Sequence, residues 1–527
     1  METDCISYED IDFLPKLMSH YLTNSSSVTS FYNQPPTSKG FENVIKNRRF
    51  STEKRLVLAK ALENQYHGIP SSKGQLDSIE LLKQENTYTV TTGHQLVLAT
   101  GPLYFVYKIL SVVKLAKQLQ LQFEDKNFVP VYWMATEDHD FLEINHFFTS
   151  KNNYEWPGQN DIPVGMKKPE VQAQIDQLEK ELEPSEWSKK WISILRNAYI
   201  QKSLTKATRL MVHELLGKYG VLIIDGDDKL LKAEFAPFMK QELLRQTAEK
   251  EVNATINNLQ QNEYSAQVTP RDINLFYLHE NGRFRITKTA SGFALVDNAK
   301  SWNETEILKE LETYPERFSP NVLMRPLYQE TILPNLSYSG GAGEMSYWFE
   351  LKSMFEKFDV DFPILLMRNS AILVSKRDKE RLAKLKLNWS QLFLNTANLE
   401  KLLVEIHGSG TTNLNEYRAK LKAMFHELAQ LSGSIDKTLE PSAGVSEAQA
   451  LKAIDRLEKK LIRGEKLNLE TVMEMKNRIQ STLFPSGNFQ ERKLNVSEFY
   501  AMLGDDLLDE LLDAFEPLQP DITIIRY

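Results

Sequence analysis

Three short segments of this chain gather residue types that suit chemistry on a charged small molecule. The first is Thr92-Gly93-His94-Gln95, followed by Thr100-Gly101-Pro102. Glycines let backbone amides approach an anion, and a helix starting near Pro102 offers a partial positive charge there. His94 and Lys108 are placed to add donors to a phosphate. No Walker lysine motif and no complete G-x-G-x-x-G accompanies them, so spacing alone leaves a structural turn and an anion cradle as equal alternatives.

The second segment is Glu137-Asp138-His139-Asp140, with Glu143, Asn145 and His146 behind it. Three carboxylates in four residues repel one another unless a cation, a metal or a substrate amine compensates. The run suits a general base for an amine, a seat for an ammonium group, or a metal. Asp138, His139 and Asp140 are the candidates for the base. His139 and His146, seven residues apart, would share one face of a helix, a looser pattern than the metal-binding H-E-x-x-H. Helix-capping acids with a partner histidine therefore stand as the alternative, and no metal ligand is assigned. The third segment runs Arg325-Pro326-Leu327-Tyr328-Gln329-Glu330, then Ser339-Gly340-Gly341-Ala342-Gly343-Glu344. Arg325 and Glu344 suit a carboxylate and an ammonium respectively, with the three glycines as an anion loop and Tyr347 as pocket wall.

These segments gain meaning from the elements around them. A β-branched run, Tyr88 to Thr92, leads through the glycine turn into an amphipathic helix reaching about Gln120, with Leu103, Val106, Leu110, Val113 and Leu115 as its buried stripe. Phe128 to Met134 follows as a second strand. Strand, helix and strand in about fifty residues form a βαβ unit, hence a parallel sheet. Val221 to Asp225, Ile364 to Met367 and Ala371 to Val374 continue the apolar strands. The expected fold is α/β, a doubly wound parallel-sheet core over 1–376 with helical, charged insertions at about 151–205 and 236–310. Ligands of such sheets bind at the carboxyl ends of strands, which is where all three segments fall.

Residues 377–485 differ in kind. Leu414, Tyr417, Leu421, Met424, Leu428, Leu431 and Ile435 step by three and four, the seam of a coiled coil. A break at Pro441 and Gly444 predicts an antiparallel helical hairpin. The tail, 486–527, returns to the core, its run Ile522-Thr523-Ile524-Ile525 as an edge strand.

Composition narrows the function classes. The 527 residues carry 63 basic and 71 acidic side chains, a net charge of −8 that advertises neither nucleic acid nor anionic membrane as a partner. Cys5 is the one cysteine, which excludes an internal disulfide and a cysteine-ligated zinc. The acidic start lacks the pattern of a signal peptide, and no apolar run approaches a membrane span, so a cytoplasmic address is expected.

At these same segments the chain resembles the cysteine ligases of bacillithiol biosynthesis, the BshC family. The matching stretches are Thr92-Gly93-His94-Gln95; Thr100-Gly101-Pro102-Leu103-Tyr104 with Tyr107-Lys108; and Val129-Pro130-Val131-Tyr132-Trp133 through Glu137-Asp138-His139-Asp140 to Asn145-His146. Asn274-Leu275-Phe276, Arg325-Pro326 with Gln329-Glu330, Gly340-Gly341 to Gly343-Glu344, Tyr347-Trp348, and Leu483-Phe484-Pro485 through Gln490-Glu491-Arg492 continue the match along nearly the whole chain. The resemblance implies a Rossmann-like core of the class I aminoacyl-tRNA synthetase type with two insertions, and a coiled-coil arm that forms a homodimer. It implies ligation of cysteine's carboxyl group to the amine of glucosaminyl-malate, with ATP and magnesium as the usual means of activating a carboxylate. Gln95, Tyr104, Glu137, Asn145, His146, Gln329 and Tyr347 join the binding set on that basis, and Arg325 or Lys108 is expected to meet malate's carboxylates. The competing readings are an ATP-dependent ligase or nucleotidyltransferase acting on another amine, and a non-catalytic nucleotide-binding scaffold. Crowded carboxylates beside glycine turns favour an enzyme, because a scaffold has no use for their repulsion.

Overall fold

The computed structural model describes residues 2–160, 162–297, 299–408, 413–519 and 521–527. They divide into two units. One comprises residues 1–9, 13–372 and 488–525, the other residues 10–12, 373–487 and 526–527.

The first unit is built on a five-stranded sheet of β1 (Thr87–His94), β2 (Asn127–Met134), β3 (Leu222–Asp225), β4 (Asn335–Gly340) and β5 (Ile364–Met367). Their order is β3-β2-β1-β4-β5, with every neighbouring pair parallel, as the strand pattern predicts. Successive strands are laid outward from β1 first on one side, then on the other. The order therefore reverses between β1 and β4, which opens a crevice at their carboxyl ends.

β1 is buried on both faces, yet four of its residues are threonines. Three of the hydroxyls are satisfied by β4: Thr89 and Thr91 both donate to Asn335 Oδ1, at 3.1 and 2.8 Å, and Thr92 donates to the Ser339 carbonyl at 2.8 Å, while Thr87 accepts from Asn127 of β2 at 3.2 Å. A buried hydroxyl without a partner costs about 1–3 kcal/mol, so these bonds fix which strand lies beside β1. Helix α1 (Tyr104–Gln122) covers one face, packing Val112, Leu115 and Leu119 against Val90, Leu336 and Leu366. It is buried nearly all round, Lys108 included, rather than along a single stripe.

The turn before α1 has left-handed backbone at three successive residues: Ala99 (φ 47°), Thr100 (φ 70°) and Gly101 (φ 56°). For the two non-glycines this conformation costs roughly 1–2 kcal/mol each. It is held from a distance. Asn495 Nδ2 donates to the carbonyls of Ala99 (2.7 Å) and Gly101 (2.5 Å), and the Ala99 amide donates to the Tyr199 hydroxyl at 2.6 Å.

The first insertion has the expected helices, Gln172–Glu181 and Glu186–Tyr199, after a short ribbon of His146–Phe148 paired with Asn153–Glu155. The second differs from expectation. After helix α2 (Lys229–Arg245) and a further helix, Thr247–Gln261, the chain forms a five-stranded antiparallel sheet from Leu275–His279, Gly282–Thr289, Gly292–Leu295, Ser301–Trp302 and Phe318–Pro320. Its long strand, Gly282–Thr289, keeps most side chains half-buried or exposed, so lysine, arginine and threonine occupy it without an apolar run to mark it. Helix α3 (Met324–Ile332) then leads into β4, and α4 (Ala342–Trp348) follows it, with Gly341 as its cap. Residues 522–525 return to this unit, not as an edge but as the middle strand of a three-stranded sheet with residues 2–6 and 370–372.

The second unit carries the arm: α5 (Asn415–Ile435), α6 (Glu440–Asn468) and α7 (Glu470–Leu483). The bend falls at 436–439, earlier than Pro441 and Gly444 suggest, because proline is tolerated in the first turn of a helix and Pro441 sits there. Arg418 ties α5 to α6 through Glu458 and Asp455, each at 2.8 Å. Among the described residues no helix is long and apolar enough to cross a membrane.

Candidate functional site

A cavity of about 1130 Å³ opens at the carboxyl ends of the core strands, at the reversal point between β1 and β4. Gly93, His94 and Gln95 reach it from the end of β1, and Tyr104 and Lys108 from α1. Glu137, Asp138 and His139 enter after β2, Arg325 from α3, and Gly341, Gly343, Glu344 and Tyr347 from α4. All three segments singled out in the sequence thus contribute to one site. Gly93 is needed for this closeness, since a Cβ there would sit 3.0 Å from the Tyr338 hydroxyl and 3.6 Å from Arg325 Nη1.

The acidic run is compensated by neighbours. Gln95 Nε2 donates to both Asp138 Oδ2 and Glu143 Oε2, each at 2.8 Å, holding two carboxylates with one amide. Burial pushes the Asp138 carboxyl up, but the Gln95 amide, the Arg283 guanidinium at 3.7 Å and the His139 backbone amide outweigh it and hold the group below its usual range. Asp138 therefore stays ionised. His139 behaves oppositely: burial and then Arg283 hold its imidazole below the ordinary histidine value, against Asp138 and Asp140, so it is neutral at neutral pH. Its Nδ1 accepts from Arg283 Nη1 at 3.3 Å. Glu137 turns away to an ion pair with buried Lys232, which Glu137 and Asp227 keep protonated.

Two expected donors are reassigned. Lys108 Nζ lies 2.6 Å from the Gly93 carbonyl and 2.6 Å from Glu344 Oε2, and Tyr338 donates to the other Glu344 oxygen. The lysine meant for an anion and the carboxylate meant for an ammonium thus satisfy each other. His94 is not a cation, because burial and then Lys108 and Arg368 hold it well below its ordinary value. Its Nδ1 accepts the Gln95 amide at 2.6 Å, which leaves the proton on Nε2. That Nε2 is buried and has no hydrogen-bond partner among the described residues, and neither has Arg325 Nη2. Arg325 is wrapped instead by the rings of Trp133, Tyr338 and Trp348, 5.3 to 6.0 Å from its guanidinium carbon.

Several candidates lie outside the cavity lining. Asp140 caps a short helix, accepting from the Glu143 amide at 3.3 Å. Asn145 clips the ribbon by donating to the Trp156 carbonyl at 3.0 Å, and His146 stands in a strand of that ribbon, so no one helix presents His139 and His146 together. Thr100 and Gly101 form the strained turn gripped by Asn495, a structural role in place of an anion cradle. Gly340 ends β4, its carbonyl accepting from the Arg368 amide at 2.9 Å. Gln329 is fully buried behind Arg325, whose Nη1 donates to it at 3.0 Å.

The sequence reading missed the other arginines of the cavity: Arg271, Arg283, Arg285, Arg368 and Arg492. The signal for two of them was present. Asn281-Gly282 is a hairpin-type dipeptide, and residues two apart on the following strand, such as Arg283 and Arg285, share a face. Arg368 is set by Glu491, with contacts at 3.0 and 2.5 Å, and lies 5.1 Å over the Tyr104 ring. Among the described lining residues seven cations face four carboxylates, so the cavity favours anionic ligands.

Glu330, behind Gln329, supplies a measurable pH dependence. Burial pushes its carboxyl up to about 7, although Arg48, Gln329 and Asn335 oppose the shift. A folded value above the unfolded one means the neutral form favours the folded state. The stability this group contributes is complete below about pH 4 and is lost as pH rises through 7, at most on the order of 3 kcal/mol. Denaturant titrations at pH 5 and pH 8 are expected to show this loss in the natural protein and a smaller one in Glu330→Gln; an equal loss in both would assign it to other groups.

Comparison with known proteins adds two findings. Residues 1–369 match the family model described as "Bacillithiol biosynthesis BshC, N-terminal Rossmann-like domain", and residues 371–527 match its "C-terminal coiled-coil domain". The chain is 40% identical to a protein of Flavobacterium johnsoniae named "Putative cysteine ligase BshC", each covered over 100% of its length. A protein of the same name from Cytophaga hutchinsonii is 36% identical, over 99% of this chain and 98% of its own. A solved chain titled as an arginyl tRNA synthetase of Campylobacter jejuni aligns over 89% of this chain at 11% identity with a TM-score of 0.22, too low to carry a structural argument.

Proposed function

This chain belongs to the BshC family of bacillithiol biosynthesis, and we propose that it is the cysteine ligase that joins cysteine's carboxyl group to the amine of glucosaminyl-malate in the cytoplasm. The observation that carries the reading is the pairing of a neutral imidazole, His139, with an ionised carboxylate, Asp138, on the rim of a cation-rich cavity.

The chemistry needs three things from the chain. The attacking amine must lose a proton, the anionic groups of the substrates must be seated, and the acyl carbon must be held against the amine. Arg283 now occupies His139 Nδ1. A malate carboxylate that draws this guanidinium toward itself and Arg285 frees Nδ1 to donate to Asp138 Oδ1, 3.7 Å away. Nε2 then accepts the proton of the amine as its nitrogen bonds to the acyl carbon and the carbon–oxygen bond to the leaving group breaks. ATP with magnesium is proposed as co-substrate; bound, it would turn the cysteine carboxylate into a mixed carboxylic–phosphoric anhydride, releasing ADP or pyrophosphate and leaving a phosphate group on the acyl carbon as the competent leaving group. Arg325 Nη2 and His94 Nε2, buried donors lacking partners among the described residues, suit a phosphate oxygen at the crevice.

The test uses purified protein with cysteine and glucosaminyl-malate, with and without Mg-ATP, and mass spectrometry of the small molecules. Bacillithiol formed with ATP alone is the expected result. Product without ATP would remove the nucleotide from the scheme, and ligand binding with no product in either case would favour a scaffold.

We further propose a homodimer formed through the arm. Tyr417, Met424, Leu431 and Ile435 are between 50% and 75% exposed along α5, a contiguous apolar seam that a second copy would cover. Sedimentation is expected to give twice the 60.8 kDa chain mass, and a monomeric mass at micromolar concentration would refute the dimer.

A further inference from the structure

A second cavity, of about 550 Å³, lies at the opposite rim of the core sheet. Glu85, two residues ahead of β1, and Asp361, three ahead of β5, line it together with Glu330 and Thr331 at the carboxyl end of α3. One wall is cationic: Arg48, Arg49, Lys54 and Arg55 fall within eight consecutive positions. Ser51 caps the 15-residue helix Thr52–Tyr66, whose N-terminus adds its partial positive charge.

The inner cations are incompletely used. The Arg48 side chain is 3% exposed and Arg55 is 2% exposed, yet the Nε of each is buried without a hydrogen-bond partner among the described residues. Arg55 spends its other nitrogens on the backbone carbonyls of Leu82, Thr87 and Glu85, and Lys54 reaches the Thr331 carbonyl at 3.3 Å. The opposing carboxylates Glu85, Asp359 and Asp361 are exposed at the mouth, where water screens them. Asp361 engages Arg48 Nη1 through Oδ2 at 3.4 Å and its carbonyl at 3.3 Å, which leaves Nε as the open donor. The one inner carboxyl, Glu330, has Oε1 occupied by Gln329 (2.8 Å) and Asn335 (2.7 Å).

A polar chain joins this cavity to the first. Arg48 Nη2 donates to the carbonyls of Glu330 (2.9 Å) and Leu333 (3.0 Å) at the carboxyl end of α3, and lies 3.4 Å from Glu330 Oε2. Glu330 accepts from Gln329, and Gln329 accepts from Arg325 at the other end of the same helix. Every member is wholly or largely buried, so a displacement at one end has no solvent to absorb it.

We propose that this rear cavity binds a phosphate-bearing effector, and that its occupancy is read at the front cavity through Arg48, Glu330, Gln329 and Arg325. An oxyanion drawn between Arg49, Lys54 and the Arg48 Nε pulls Arg48 off the end of α3, and the helix carries Arg325 with it. The coupling half of this inference rests on the nucleotide role proposed for Arg325; the binding half does not.

Calorimetry with inorganic phosphate and with pyrophosphate tests binding on the full chain without reference to activity. Saturable binding is expected, weakened at least about tenfold in Arg49→Ala/Lys54→Ala and retained in Arg325→Ala. Unchanged affinity in the double variant would overturn the site, as would loss of all binding in Arg325→Ala, which would place the anion in the front cavity. Coupling is read as a phosphate-dependent change in the KM for ATP that disappears in Arg49→Ala/Lys54→Ala and in Gln329→Leu. A phosphate effect that persists in the double variant is competition at the front cavity and overturns the coupling.

Discussion

His139→Gln is expected to lower kcat for amide formation by roughly 10²–10⁴-fold, the usual contribution of a positioned general base, with cysteine binding unchanged. Glutamine keeps the volume and one polar contact to Arg283 but accepts no proton from an attacking amine. The imidazole is the stronger candidate because burial and Arg283 keep it neutral, whereas Gln95, Arg283 and a backbone amide hold Asp138 below the range in which a carboxylate takes a proton from an amine. Asp138→Asn should reduce turnover less, by failing to support the imidazolium, and should leave the fold intact because the one oxygen of asparagine still accepts from the His139 amide while Gln95 keeps its bond to Glu143. Rates measured across pH separate the two roles. The natural enzyme should lose activity on the acid side as His139 protonates, and His139→Gln should lack that limb. A kcat unchanged in His139→Gln would remove the histidine from the proton transfer, and one unchanged in Asp138→Asn would remove its partner.

The largest stability effect is expected at Arg368. Its side chain is 6% exposed and that of Glu491 2% exposed, and the two form a bidentate pair that Ser370 completes with a 2.7 Å hydroxyl bond. Removing one partner of a buried pair leaves an uncompensated charge, at about 3–5 kcal/mol, whereas replacing both with apolar groups is often neutral. Arg368→Ala is therefore expected to shift the urea midpoint sharply downward, and Arg368→Met/Glu491→Leu to recover most of the loss. A midpoint that does not move in Arg368→Ala, or a double variant as unstable as the single one, would show that the pair is not what holds this segment. The double variant should still lose anion affinity, because Arg368 also lines the cavity.

Four of the five core strands were legible because β1, β2, β3 and β5 are short apolar or β-branched runs closed by turns, a composition that burial on both faces favours. β4, Asn335–Gly340, is half polar and gave no such run, and the run from Ala371, read as a further core strand, lies in the three-stranded sheet instead. The segments carrying the site were legible for a related reason: they follow those strands, and in this architecture carboxyl ends converge. What stayed hidden depends on partners far apart in the chain. Lys108 and Glu344 are 236 positions apart, so no spacing rule shows that they neutralise each other. Thr100-Gly101 reads as a ligand loop until Asn495, 394 positions on from Gly101, is seen filling it. The antiparallel sheet of the second insertion was missed because Gly282–Thr289 is largely unburied and mixes charged with apolar residues, although Asn281-Gly282 announced its hairpin. Arg283 and Arg285 were lost with it.

The grip of Asn495 on the turn before α1 also bears on synthesis. A nascent chain that has emerged only through Arg368 contains every core strand, yet its Ala99 and Gly101 carbonyls still lack their donor and Arg368 its counter-charge. The ribosome must deliver more than a hundred further residues, the arm among them, before the front cavity can close around a rigid wall. A premature stop within the arm therefore yields a polypeptide with a nearly whole sheet and an unfinished pocket, a substrate for quality control rather than a weak ligase.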